Sequence, residues 1–406
     1  MGARRDAARA PRTPPGPELR HLGGYQERGG LRRAAVGPHG PVDDEAEIDD
    51  GDLEDHHQED ELPHDPAAVY NQGMRPSSTR TVLIAATGDA VARISADANG
   101  GRVSLALEGT GAQAVAVDPI RAGTIFVGCR GGGVRRSGDG GESWKELAFP
   151  ARDVFSMAVS PVDGAVYAGC EPSALFRSDD GGETWRELEA LRALPSAPTW
   201  SFPPRPWTSH VRAIAPSPHE ADRILVGIEL GGLMLSEDGG ESWHDHRPDA
   251  QKDVHALAWH PTASGRAYEA GGGGAAWSVD AGRTWRRADA GRDRHYTYAL
   301  AVDPDEADSW YVSASPGPMQ AHYRGNAEAH VYRWRGDGPW ERLAGGLPDP
   351  LDSMPYAMTA SNGHLYAGLA DGRLYGSGDR GDTWHELSLT GPRLSRIVAL
   401  AGLSSP

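Results

Sequence analysis

Five short, strand-like segments of this 406-residue chain end at Pro119, Pro161, Pro216, Pro261 and Pro304. Six positions before the proline stand Gln113, Phe155, His210, His255 and Tyr298, and Tyr356 holds the matching place in a sixth segment. Two residues farther out come Asp153, Thr208, Asp253 and Tyr296, while Arg130, Glu171 and Glu229 each close another recurring run. If the segments lie side by side, these groups meet at one mouth. Two carboxylates there, one protonated and one ionised, could flank a glycosidic bond. Glu171 and Glu229 are the candidate pair, with Asp153 and Asp253 in reserve. His210 and His255, with Glu229 or His322, would instead offer imidazole and carboxylate donors to a metal, although no short-spaced ligand motif accompanies them. No cofactor is expected from motif evidence.

Two stretches exceed the length a terse connection needs. Residues 189–209 carry Trp200, Phe202 and Trp207 among several prolines, and residues 315–330 carry Met319, His322, Tyr323 and Arg324. Long connections on a compact scaffold are commonly functional, and the aromatics suit a wall or lid over a ligand. With Arg130, His210, His255, Tyr296, Tyr298 and Tyr356 they compose a candidate binding set for a polar small molecule or glycan. In the competing reading, exposed Trp200 and Trp207 anchor a protein partner and no chemistry occurs.

The elements that would position these residues are repeats. Five copies of S-x-D-x-G-x-[ST]-W are plain: SGDGGESW at 137–144, SDDGGETW at 178–185, SEDGGESW at 236–243, SVDAGRTW at 278–285 and SGDRGDTW at 377–384. Their tryptophans are spaced by 41, 58, 42 and 99 residues, and the last interval divides into 55 and 44 at Trp340. A further decayed copy begins at Ser95. Each repeat holds four strand-like runs, such as QAVAVDP, TIFVGC, GVRRS and SWKEL. Four short strands in about 40–45 residues describe a propeller blade. The expected fold is all-β: seven four-stranded antiparallel blades, with the C-terminal run RIVALAGL supplying the missing innermost strand of blade one and removing an open edge.

Within the motif the chemistry is structural. An aspartate in a tight turn accepts backbone N–H groups, the Ser or Thr hydroxyl adds another bond, and glycine supplies positive φ. Asp139, Asp180, Asp238, Asp280 and Asp379 are therefore assigned to turn architecture, and Trp144, Trp185, Trp243, Trp285 and Trp384 to packing between hairpins. The pattern resembles the Asp-box of the BNR repeat family, shared by sialidases, xyloglucanases, sortilin-type receptors and photosystem II assembly factors. That resemblance implies the propeller but does not choose among catalysis, peptide binding and scaffolding. A true sialidase is disfavoured, because its N-terminal Arg-Ile-Pro motif is missing and the blade count is one too many.

Composition narrows the partners. The net charge is −17 and no basic block occurs, which disfavours nucleic acid and anionic membranes. No apolar run is long enough for a span and no secretory h-region is visible. Cys129 and Cys170 close equivalent runs and read as small buried apolar residues, so the chain is expected to be cytoplasmic and monomeric. Residues 1–73 differ from the rest: thirteen acidic side chains and no Lys or Arg lie between Asp43 and Asp65. Such a segment cannot bury enough apolar surface to order itself. It is expected to be disordered, or to lie outside the true protein if translation starts at Met74. The propeller is assigned to 74–406.

Overall fold

The computed structural model describes residues 80–97, 100–202, 208–323, 325–336 and 338–403. The acidic segment 1–73 and the start at Met74 lie outside them. Seven antiparallel sheets follow one another. Blade two is representative: Ala112–Val117, Ile125–Cys129, Gly133–Ser137 and the two-residue outer strand Lys145–Glu146. Later blades start with Val154–Val159, Val211–Pro216, Val254–Trp259, Tyr296–Val302 and Pro355–Ser361. Each of these first strands touches the first strand of its neighbour, and the set closes on itself. They form the inner wall of a seven-bladed β-propeller.

Closure occurs as the strand count requires. Ala399–Leu403 pairs antiparallel with Val82–Ala86 and becomes the innermost strand of blade one. Two details depart from seven uniform four-stranded blades. Ser388–Thr390 adds a fifth, parallel strand outside blade one. Blade four has three strands, its outer edge reduced to the bridge Leu235↔His244. Among the described residues no helix is long and apolar enough to cross a membrane.

Blades dock through a recurring small-residue contact. In TIFVGC, AVYAGC, ILVGI and LYAGL, one glycine sits late in the second strand. A Cβ on Gly128 would lie 2.5 Å from Val154 Cγ1, and one on Gly169 2.5 Å from Val211 Cγ1. Gly227 meets Val254 and Gly368 meets Ile397 in the same way. Val154, Val211 and Val254, which open their inner strands, and Ile397, just before the closing strand, thus fill the space where the preceding blade lacks a Cβ. Adding that methyl would overpack the joint, typically at about 1–3 kcal/mol.

The Asp-box turns are equally regular. In the copy at 278–285, Ser278 Oγ donates to Asp280 Oδ1 at 2.9 Å and accepts the Gly282 N–H at 3.0 Å. Thr284 gives its N–H (2.8 Å) and its hydroxyl (2.6 Å) to Asp280, and the Trp285 indole N–H reaches the Gly282 carbonyl at 3.0 Å. Asp139, Asp180, Asp238 and Asp379 repeat the arrangement. Hydroxyl and backbone donors hold Asp139, Asp180 and Asp379 down to about 2. Both oxygens of each carboxylate are engaged in the turn.

Candidate functional site

At the other end of the blades, every inner strand from blade two to blade seven breaks register once. The pairing skips Gln113, Phe155, Arg212, His255 and Tyr356, and in blade six it skips Tyr298 and Ala299 together. A bulge re-aims the skipped side chain, and Gln113, Phe155, Arg212, His255, Tyr298 and Tyr356 all line the axial channel. Five of these six are the residues aligned from sequence. Blade four differs. The segment AIAPSP contains two prolines, and the bulge register matches Pro218, not Pro216, so Arg212 takes the ring position. His210 moves out to stand with Asp153, Asp253 and Tyr296.

That shift assembles a polar cluster across blades four to six. Glu229 follows the strand Ile224–Ile228, and its Oε2 accepts from His210 Nε2 at 2.7 Å and lies 3.4 Å from Arg212 Nε. Burial works against the Glu229 charge, but the His210 hydrogen bond and the Arg212 charge more than offset it and hold the carboxyl down to about 2. Burial also opposes the Arg212 charge, and Tyr298 and Glu229 outweigh it. The guanidinium rests 5.1 Å from the Tyr298 ring centroid. On blade five, His255 Nδ1 donates to the Thr297 carbonyl at 2.6 Å, and its Nε2 lies 3.5 Å from Asp253 Oδ2. One ligand atom each from Glu229, Asp253 and His255 lie within 4.8 Å of one another.

A short helix, Pro318–His322, covers this cluster. His322 bridges two hydroxyls, Tyr296 at 3.1 Å and Tyr356 at 2.8 Å. Burial raises the phenol pKa of Tyr296 and Tyr356 and lowers that of the His322 imidazole, so these groups are neutral. A cavity of about 530 Å³ lies between Glu229, Asp253 and Tyr296 on one side and Met319, His322 and Tyr323 on the other, with Phe202 at its edge. That is an ordinary size for a small-molecule pocket.

Other candidates fall elsewhere. Glu171 is held by the Thr208 hydroxyl at 3.0 Å and by Arg130 at 3.7 Å, and Arg130 also lies over the Phe155 ring at 4.9 Å. Asp153 Oδ1 accepts the Gly131 N–H at 2.8 Å. This second group belongs to blades two to four. The carboxylate beside Glu229 is Asp253. Trp200 is 7 % exposed, packs with Leu191, Val211 and Ile228, and donates its indole N–H to Ser196 Oγ at 2.9 Å. It is a core residue, not an exposed anchor, because the 3-10 turns Glu189–Ala193 and Ala197–Thr199 fold the long connection back onto blade four. Trp207 and Arg324 lie outside the described residues.

Arg212 and Thr297 escaped the sequence reading. Arg212 was detectable: four residues before the chosen prolines stand Val115, Met157, Leu257 and Leu300, so a charge at that place signals a shifted frame. Thr297 had no such signal, since its role is a backbone carbonyl.

Comparisons with known proteins agree with this architecture. A model of the BNR/Asp-box repeat matches residues 176–187. The oligoxyloglucan-reducing end-specific xyloglucanase of Emericella nidulans is 28 % identical over 141 residues, covering 33 % of this chain and 17 % of that protein. An ancestral GH74 enzyme superposes with a TM-score of 0.54 at 18 % identity, over 69 % of this chain and 39 % of the other. The GH74 xyloglucanase from Xanthomonas campestris gives 0.53 at 17 % identity, over 68 % and 45 %. The chain therefore spans less than half the length of each of these three relatives, and the structural likenesses show the fold. From its motif copies, its blade count and these matches together, the chain is a seven-bladed β-propeller built from BNR/Asp-box repeats.

Proposed function

We propose that the mouth between blades four and six binds a polar small molecule of the glycan class. The observation that carries this reading is the half-covered cavity in which Glu229, Asp253, Tyr296 and His322 face Phe202, Met319 and Tyr323. Sugar hydroxyls hydrogen-bond to carboxylates and phenols, while the C–H faces of a pyranose pack on apolar and aromatic surface. The xyloglucanase relative supports the same ligand class. Should hydrolysis follow, the two carboxylates involved are Glu229 and Asp253. Glu229, held ionised by His210 and Arg212, would be the base or nucleophile, with Asp253 as the second carboxylate of the pair. The test is titration calorimetry and reducing-sugar release with a panel of xyloglucan and other oligosaccharides, on the parent, Glu229→Gln and Asp253→Asn. Binding by the parent that both variants lose supports the reading; no binding by any oligosaccharide overturns it.

A second reading, a non-catalytic protein scaffold, draws on the exposure of Met319 (77 %) and Tyr323 (67 %) at the cover. Exposed apolar residues beside a groove suit a peptide anchor. Selection from a peptide library, with Met319→Ser and Tyr323→Ser as competitors, tests it: sequences that bind both variants as well as the parent would remove this reading.

A further inference from the structure

We propose that Glu229, Asp253 and His255 form a binding site for a first-row divalent cation of the Zn²⁺ or Mn²⁺ type. His255 is 3 % exposed and its Nε2 makes no hydrogen bond among the described residues. The other ring nitrogen, Nδ1, donates to the Thr297 carbonyl. A neutral imidazole has one N–H, so this bond leaves the lone pair on Nε2, pointing at the carboxylate of Asp253. Asp253 Oδ1 is likewise buried without a hydrogen-bond partner among the described residues. His210 and Arg212 both approach Glu229 at Oε2, which leaves Oε1 as the oxygen open to a cation.

One ligand atom from each of the three residues thus lies within 4.8 Å of the others. Leaving a buried acceptor unsatisfied costs about 1–3 kcal/mol, and a cation would relieve both His255 Nε2 and the Asp253 carboxylate at once. The donor set selects the ion. Imidazole favours zinc, iron or copper over calcium, while two carboxylates keep manganese in contention. Ligand atoms around such an ion sit about 3–3.5 Å apart, so small rotations of the two partly exposed carboxylates complete the set.

The surroundings have the form that metal sites require. The ligating histidine is oriented by a backbone acceptor on its far nitrogen. Thr297, which supplies that carbonyl, is itself fixed by its hydroxyl donating to the Gly274 carbonyl at 2.7 Å. Glu229 and Asp253 line the covered cavity, so with only three protein ligands the remaining positions would open toward it, where water or a sugar hydroxyl could bind. The cation site shares that cavity with the proposed glycan site but does not depend on its ligand.

The experiment strips the full-length protein with a chelator and titrates it with ZnCl₂ and, separately, MnCl₂, followed by calorimetry and elemental analysis. One ion per chain is expected for the parent. Asp253→Asn and His255→Gln should each weaken affinity by about tenfold or more, while Glu241→Gln, on an Asp-box turn, should match the parent. If His255→Gln does not fold, Asp253→Asn decides, because that side chain is partly exposed. Failure of the parent to take up either ion, or parent-like affinity in Asp253→Asn, overturns the proposal. Oligosaccharide binding measured with chelator present reports on the glycan reading alone, so the two can fail independently.

Discussion

His322 Nδ1 lies 2.8 Å from the hydroxyl of Tyr356 and ties the cover helix to blade seven. The bond directions are mutually consistent. Tyr356 donates to the Ala321 carbonyl at 3.4 Å, so Nδ1–H donates to Tyr356, and Nε2 accepts from the Tyr296 hydroxyl at 3.1 Å. This arrangement needs a neutral ring, and burial together with the nearby His255 lowers the His322 pKa below its usual value. The tied state therefore binds fewer protons than the released one. Its stability is present above about pH 6.5 and is lost as the pH falls through the depressed pKa. Hydrogen exchange across 318–323 should accelerate on acidification, and should be fast at every pH in His322→Phe. Identical exchange in parent and variant would show that the tie does not hold the cover.

Asp280→Ala tests whether the Asp-box is purely architectural. The substitution removes the acceptor for the Ser278 hydroxyl and for both donors of Thr284. Hydrogen bonds to a charged group contribute about 1.5–3 kcal/mol each before relaxation, so a loss of about 2–4 kcal/mol is expected in urea unfolding. Because the box turn and the channel mouth lie at opposite ends of the blade, ligand affinity at the mouth should not change. An affinity loss larger than the stability loss explains would give the box a functional role.

The fold was readable because repetition multiplies a weak signal. A Trp spacing near 42, four runs per repeat and an extra run at the end leave little freedom for architecture. The site was harder for the same reason: one wrong frame moves a residue to the wrong place on the ring. Choosing Pro216 over Pro218 put His210 where Arg212 stands and hid the ion pair with Glu229. Of the two glutamates chosen from sequence, Glu171 is engaged by Thr208 and Arg130, whereas Glu229 stands beside Asp253 of the next blade, a neighbour that comes only from the three-dimensional arrangement. Trp200 reads as exposed from the length of its connection alone, yet it is buried. Leu191 and Leu194 in that stretch are apolar at a short helical spacing, a pattern that instead signals a turn folded onto the core.

The closing strand should be indispensable to the ring. Val82–Ala86 pairs with Ala399–Leu403 along its whole inner edge, and deleting residues 396–406 would expose that edge and unseat Ile397 from Gly368. A fall in Tm of at least about 10 °C is expected from the lost pairing and packing. A truncated protein that melts with the parent would show that six blades and an incomplete seventh suffice.

Glu269 gives a pH dependence of opposite sign to that of the cover. It lies wholly buried on the second strand of blade five, where one oxygen accepts the Gln251 N–H at 2.9 Å and the other has no partner among the described residues. Burial pushes its carboxyl up to about 8, with the Gln251 bond only partly opposing. The folded state therefore holds a proton that the unfolded chain releases near pH 4.3. With more protons bound in the native state, stability is greatest below the unfolded value and declines as pH rises toward 8. The decline is on the order of a few kcal/mol, at about 1.4 kcal/mol per pKa unit. Glu269→Gln keeps an acceptor for the Gln251 N–H and cannot ionise, so its stability should be flatter between pH 5 and pH 8 and should exceed that of the parent at the alkaline end. Parallel stability curves for the two proteins would mean that the carboxyl is not titrating in that window.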